Sequence, residues 1–159
     1  MSKFNKNQPK QLSPENYVKT KARTLPIDGC YVNENWKESG LANIFIVRKH
    51  NNGNFTFGVY LVDLFALGTK DTFYNFNQPQ NVINGLITKF GIIKVDYDLA
   101  HNIIFGANEY AIENGFKIHK DFDKITKFIL EIDDEKIPLI DIEFGKDGKP
   151  FIIASLGSF

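Results

Sequence analysis

The spacing of apolar residues changes along the chain, and each spacing predicts a different element. Leu41 to Val47 is an apolar run, Phe55 to Phe65 is another, and Asn52-Gly53 lies between them. Both residues of an Asn-Gly pair tolerate positive φ, so this stretch predicts a tight antiparallel hairpin over about 42–65. That register sets Arg48 against Phe57 and Ile46 against Val59, and the second strand gives out near Leu67-Gly68-Thr69-Lys70-Asp71. Downstream the period becomes helical: Val82, Ile83, Leu86, Ile87 and Phe90 share a face closed by Gly91. Asp98 caps a longer helix to about Glu113, with Ala100, Ile103, Ile104, Ala107 and Ala111 on one side. A third helix, about 121–130, presents Phe122, Ile125, Phe128 and Ile129. Ile140, Ile142 and Phe144 then alternate with Asp141 and Glu143 up to an Asp147-Gly148 turn, which predicts a second hairpin over about 138–154. At the other end, Ser13-Pro14-Glu15 has the cap, proline and acid of a short helix start. Pro26 then imposes an extended path into Cys30. Two hairpins flanking a block of three helices define an α+β fold, preceded by a short helix and a polar tail.

Composition narrows this picture. A chain of 159 residues with 43% hydrophobic content suits one domain with a real core. Cys30 has no second cysteine to pair with, which points to a reducing compartment. The first residues, Met1-Ser2-Lys3-Phe4-Asn5-Lys6, carry no apolar leader, and no apolar run approaches bilayer length. The expectation is a cytoplasmic protein that does not engage a membrane. Formal net charge is zero but unevenly spread. Through Leu25 the cations Lys3, Lys6, Lys10, Lys19, Lys21 and Arg23 face the lone acid Glu15, while residues 131–147 are rich in acids. Residues 1–24 are therefore read as a basic N-terminal arm with a short helix, and 25–159 as a single α+β domain.

The chain also resembles a family of small bacterial cytosolic proteins with no established activity. The likeness runs from Leu25-Pro26-Ile27, Cys30 and Trp36 through Tyr60-Leu61-Val62-Asp63 and His101-Asn102-Ile103-Ile104. It continues in His119-Lys120-Asp121-Phe122, Phe144-Gly145 and Asp147-Gly148-Lys149-Pro150. It covers roughly residues 25–155, implies one fold throughout, and brings no catalytic residue with it.

The residues themselves suggest three chemistries. A cysteine hydrolase needs a thiolate beside an imidazole held by a third group. Cys30, His101 or His119, and Asp63 or Asp71 supply those types without a local signature, and a lone cysteine between Gly29 and Tyr31 equally suits a small buried hydrophobe. His101 reads as a neutral core histidine with one hydrogen bond, His119 as a residue before a helix capped by Asp121, and His50 as an exposed flank of the turn. No histidine pair has metal-ligand spacing and no CxxC occurs, so neither a metal nor a cofactor is expected. Asp141 and Glu143 lack the lysine that a nuclease would place two residues beyond Glu143, where Gly145 stands. The arm has the remaining signal. Lys3, Lys6, Lys10, Lys19, Lys21 and Arg23 can neutralise phosphates, and Tyr17 can stack beside the last three. The weight falls on a non-catalytic binding or accessory protein that contacts structured RNA, such as a ribosomal surface, through this arm. The alternatives are the Cys30 hydrolase and a protein-interaction module in a stress or defence system.

Overall fold

The computed structural model describes residues 11–152. Its centre is an antiparallel sheet of five strands: β1 (Ile27–Asn33), β2 (Leu41–Lys49), β3 (Phe55–Asp63), β4 (Gly68–Gln78) and β5 (Ile92–Val95), in the order β4-β3-β2-β1-β5. Helix α1 (Pro14–Thr20) precedes these strands, α2 (Trp36–Ser39) and α3 (Gln80–Phe90) lie between them, and α4 (Tyr97–Glu113) and α5 (Lys120–Lys124) follow. Short 3-10 turns follow at Ala22–Thr24 and Thr126–Ile129.

Helices cover both faces of the sheet, which explains why β2 and β3 read as continuous apolar runs rather than alternating ones. Ile44, Ile46, Tyr60 and Val62 point to one side, where they meet Ile103, Ile104 and Ala107 of α4, Val18 of α1, and Ile129. Phe45, Val47, Phe57 and Val59 point to the other and meet Ile83 of α3, with Leu86 and Ile87 beside it.

Several expectations are corrected. The first hairpin forms, but Arg48 pairs with Thr56 and Val47 with Phe57, one residue away from the predicted register. The reason is the connection. His50 N–H donates to Asn54 O at 2.8 Å and Gly53 N–H to His50 O at 3.0 Å, so the loop spans residues 50–54 rather than two. Arg48 follows Ile44 and Ile46 along β2 and so points to the α4 side, and the slip sets it opposite Thr56 rather than Phe57. The predicted second hairpin is absent: among the described residues, 138–152 contain no strand. Only the turn survives, with a single bridge between Lys146 and Lys149 around Asp147 and Gly148, both at positive φ. The alternation of Ile142 and Phe144 with Asp141 and Glu143 is realised as an extended strap lying on the core. Its backbone is held by Asn102, whose side chain donates to Pro138 O and accepts from Ile140 N–H, and by Leu64 O and Phe65 O. The predicted 121–130 helix is five residues of α5 followed by a 3-10 turn. The helices form no single block, because α3 and α4 lie on opposite faces of the sheet.

Candidate functional site

The residues proposed for cysteine chemistry are placed apart and put to other uses. Cys30 lies in β1, is 2% exposed and belongs to the α4-side core. Burial pushes its thiol up to about 12, an effect only partly offset by the charges of Arg48 and Lys94. Among the described residues, no hydrogen bond or ion pair joins Cys30 to a histidine.

His101 sits in the second turn of α4, fully packed, with Phe105 tilted against its ring at 4.4 Å. It makes two hydrogen bonds rather than the expected one. Glu131 N–H donates to the Tyr97 hydroxyl at 2.8 Å, and that hydroxyl is 2.7 Å from His101 Nδ1, while Nε2 is 2.9 Å from Asp133 Oδ1. The network is satisfied when Tyr97 donates to Nδ1 and the Nε2–H donates to Asp133, the neutral tautomer. Burial holds the Tyr97 hydroxyl well above its ordinary pKa, so this chain of groups offers no ready nucleophile. It fastens residues 131–133 to α4.

His119 is itself the N-cap of α5: its Nδ1 accepts from Asp121 N–H at 3.1 Å, reversing the roles expected for that pair. The Asp71 carboxylate does approach His119 Nε2, at 3.9 Å. An imidazole and an orienting acid are thus brought together, with the thiol elsewhere. Asp63 is buried and closes the β3–β4 turn by accepting from Phe65 N–H at 2.9 Å and Leu67 N–H at 3.3 Å. Desolvation raises its pKa and these two donors pull it back down. No group of three or more metal-ligating side chains occurs among the described residues, and no described helix is long and apolar enough to cross a membrane.

The N-terminal cations divide. Lys3, Lys6 and Lys10 lie outside the described residues. Tyr17 packs against the rings of His50 and Phe76, which leaves His50 half-buried rather than exposed. Lys19 pairs with Glu15 one helical turn away. Arg23 donates to Leu130 O at 2.7 Å and Lys127 O at 3.2 Å, closing the end of a 3-10 turn. With Val18 and Ala22 fully buried in the core, α1 belongs to the body, and the boundary drawn at 24/25 marks no break in packing. Lys21 remains exposed.

A concave surface is found elsewhere. On the α3 side the single helix leaves part of the sheet bare, and a groove of about 510 Å³ opens there. Phe45, Val59, Leu61, Phe73, Leu86 and Phe90 line it, with Asn43, Asp71 and Lys89 at its margin. Phe73 is 51% exposed and Phe90 43%. Preformed, mostly apolar concavities with a few polar groups are the usual form of a binding site. A larger cleft of about 620 Å³ borders the strap, but Asp141, Glu143, Asp147, Lys37 and Lys146 line it with mixed charge and no convergent geometry.

No family model, curated protein or solved structure matches this chain. The sequence did carry a signal for the groove, in its charges rather than its motifs. From Thr72 to Ile93, through half of β4 and all of α3, the single charged residue is Lys89, in a chain that is 24% charged.

Proposed function

We propose that this chain is a non-catalytic binding protein that holds an uncharged, apolar surface of a partner protein in the groove between α3 and the sheet. The observation that carries this reading is the near absence of charge from Thr72 to Ile93, coinciding with the exposed rings of Phe73 and Phe90. The centres of protein interfaces are depleted in charge and rich in aromatic residues, whereas surfaces for nucleic acid are basic. The engagement of Cys30, His101, His119 and Asp63 in packing, clamps and caps supports the non-catalytic part. Contact with structured RNA would rest on Lys3, Lys6, Lys10 and Lys21, because Tyr17, Lys19 and Arg23 are already engaged. The test is capture from nuclease-treated lysate on the full chain and on Phe90→Asp, a change at a groove-lining side chain that is 43% exposed. A discrete protein retained by the first and lost from the second, with unchanged thermal unfolding, is the expected result. Identical captured sets, or material that disappears with nuclease alone, would overturn the groove as the binding element.

A further inference from the structure

β4 is an edge strand, and among the described residues backbone groups from outside the sheet close its outer side at one end only. Thr69 N–H donates to Asn108 Oδ1 at 2.7 Å and Thr69 O accepts from His119 N–H at 2.8 Å, so α4 and the start of α5 cover that end. The pairing with β3 is irregular between Leu61 and Val62, and again between Phe55 and Phe57. Between these breaks five residues keep unbroken register, from Asp71 opposite Leu61 to Asn75 opposite Phe57. Thr72 N–H turns to the Asp71 carboxylate at 2.8 Å instead of entering the ladder. The outward-facing backbone of the window is therefore that of Thr72 and, by alternation, Tyr74. Among the described residues, no backbone group from outside the sheet bonds to residues 71–76.

An open, regular edge with aromatic side chains and no proline is a pairing template. The window is also self-complementary. A two-fold axis normal to the sheet must pass through one residue, because directly opposed residues share a face. Centred on Phe73, it keeps all five residues paired; centred on any other, it runs into one of the irregular ends.

We propose that β4 pairs antiparallel with β4 of a second copy about Phe73, making one continuous ten-stranded sheet. The Thr72 N–H then leaves the Asp71 carboxylate, and Thr72 and Tyr74 of the two copies exchange backbone hydrogen bonds. On the α3 side, Phe73 opposes Phe73 of the second copy as a close pair without ladder bonds. Each Asp71 opposes an Asn75 amide that can donate to it, so no like charges meet. Phe73 is also a wall of the groove, so the two grooves run together across the axis. Five paired residues and two rings are small beside the ~1,600 Å² of a standard interface, so the dimer is expected to be weak and concentration-dependent.

Engineered cysteines read the register directly, and the buried native Cys30 does not compete. The expected result is that Phe73→Cys forms a disulfide dimer under mild oxidation, because a facing pair without ladder bonds sets its Cα atoms about 4.5 Å apart, within the span a disulfide bridges. Asp71→Cys and Asn75→Cys, each alone, should cross-link about ten times more slowly or less, since two-fold pairing sets like residues ~13 Å apart. Mixed together, those two should give the disulfide heterodimer. Sedimentation of the unaltered chain up to about 100 μM, with Phe73→Lys as comparison, gives an independent reading. A monomer throughout, self-association unchanged by Phe73→Lys, or equal cross-linking by all three single cysteines would overturn the pairing. The dimer stands apart from the groove's occupant: Phe90→Asp should abolish partner capture and leave the Phe73→Cys cross-link intact.

Discussion

Iodoacetamide labelling of Cys30 separates a catalytic thiol from a structural one. A thiol raised from 9.0 to about 12 has about a thousandfold less thiolate at any pH well below both values. At 2% exposure the sulfur is also out of reach until β1 parts from its neighbours, so labelling has to proceed through opening of the sheet. Together these place native labelling at least about a thousandfold below that of the same chain in urea. Mass spectrometry of timed aliquots at neutral pH, with and without urea, measures the ratio. A native rate within about tenfold of the unfolded one would refute the placement of Cys30 in the core and reopen the hydrolase reading. The same shift has a consequence for stability, and its sign is fixed. The folded pKa lies above the unfolded one, so the thiol's contribution is intact below about pH 9. It is lost progressively between about 9 and 12, as the unfolded chain ionises and the folded one does not. Cys30→Ala is expected to flatten the fall of the unfolding midpoint across that window.

Arg48 is buried and donates to Leu25 O and Ile129 O, each at 2.6 Å, and to Glu131 at 3.1 Å. Arg48→Met strands those carbonyls and should cost about 3 kcal/mol. Glu131→Gln, at a side chain 40% exposed, should cost under about 1 kcal/mol by urea titration; equal losses would make the ion pair the essential bond. Removing 1–24 takes Val18 and Ala22 from the core and the Arg23 bonds with them, and should cost about 3 kcal/mol or more by calorimetry. A Cβ at Gly106 would overlap the Phe144 ring, so Gly106→Ala should free the strap and speed proteolysis near 141–147, with the sheet's protection from hydrogen exchange unchanged.

The β2–β3 hairpin was legible because two apolar runs flank Asn52-Gly53, yet its register was not. The loop hydrogen bonds from His50 and to Asn54 that lengthen the turn leave no mark in composition. β4 was missed altogether: its first residues read as the end of β3, and Asn75 and Asn77 interrupt its aromatics, as suits an edge strand with one half-wet face. The strap at 138–152 shows the converse error. Alternation proves one dry and one wet side, whereas a strand also needs a partner edge, and here Asn102 and the carbonyls of Leu64 and Phe65 serve the backbone instead. For the site, residue types were visible and geometry was not. Asp71 and His119 do meet, but Cys30 lies on β1, three strands away from β4, packed in the core. The cations spread from Lys3 to Arg23 drew attention to an arm, while Val18 and Ala22, the residues that fix the place of α1, are too few to show a period.

The two faces of the sheet are closed by different means, and that difference is what points to a binding surface. On the α4 side, buried polar groups sit among apolar ones and nearly all find partners: Arg48 serves three carbonyls, Tyr60 donates to Thr126 O at 2.7 Å, and His101 is held from both nitrogens. Such a face tolerates no rearrangement, because any shift strands a buried donor or acceptor. The α3 side has only dispersion and burial to hold it. Ile83 anchors the helix, and the rings of Phe73 and Phe90 stay in water. Exposed apolar area forgoes about 25 cal/mol per Å² that covering it would return. A surface that leaves this free energy unused, with a single charge across 22 residues, has it available for association. The rigid face fixes the position of β3 and β4, and the open face lets those fixed strands present Phe73 and the groove beside it.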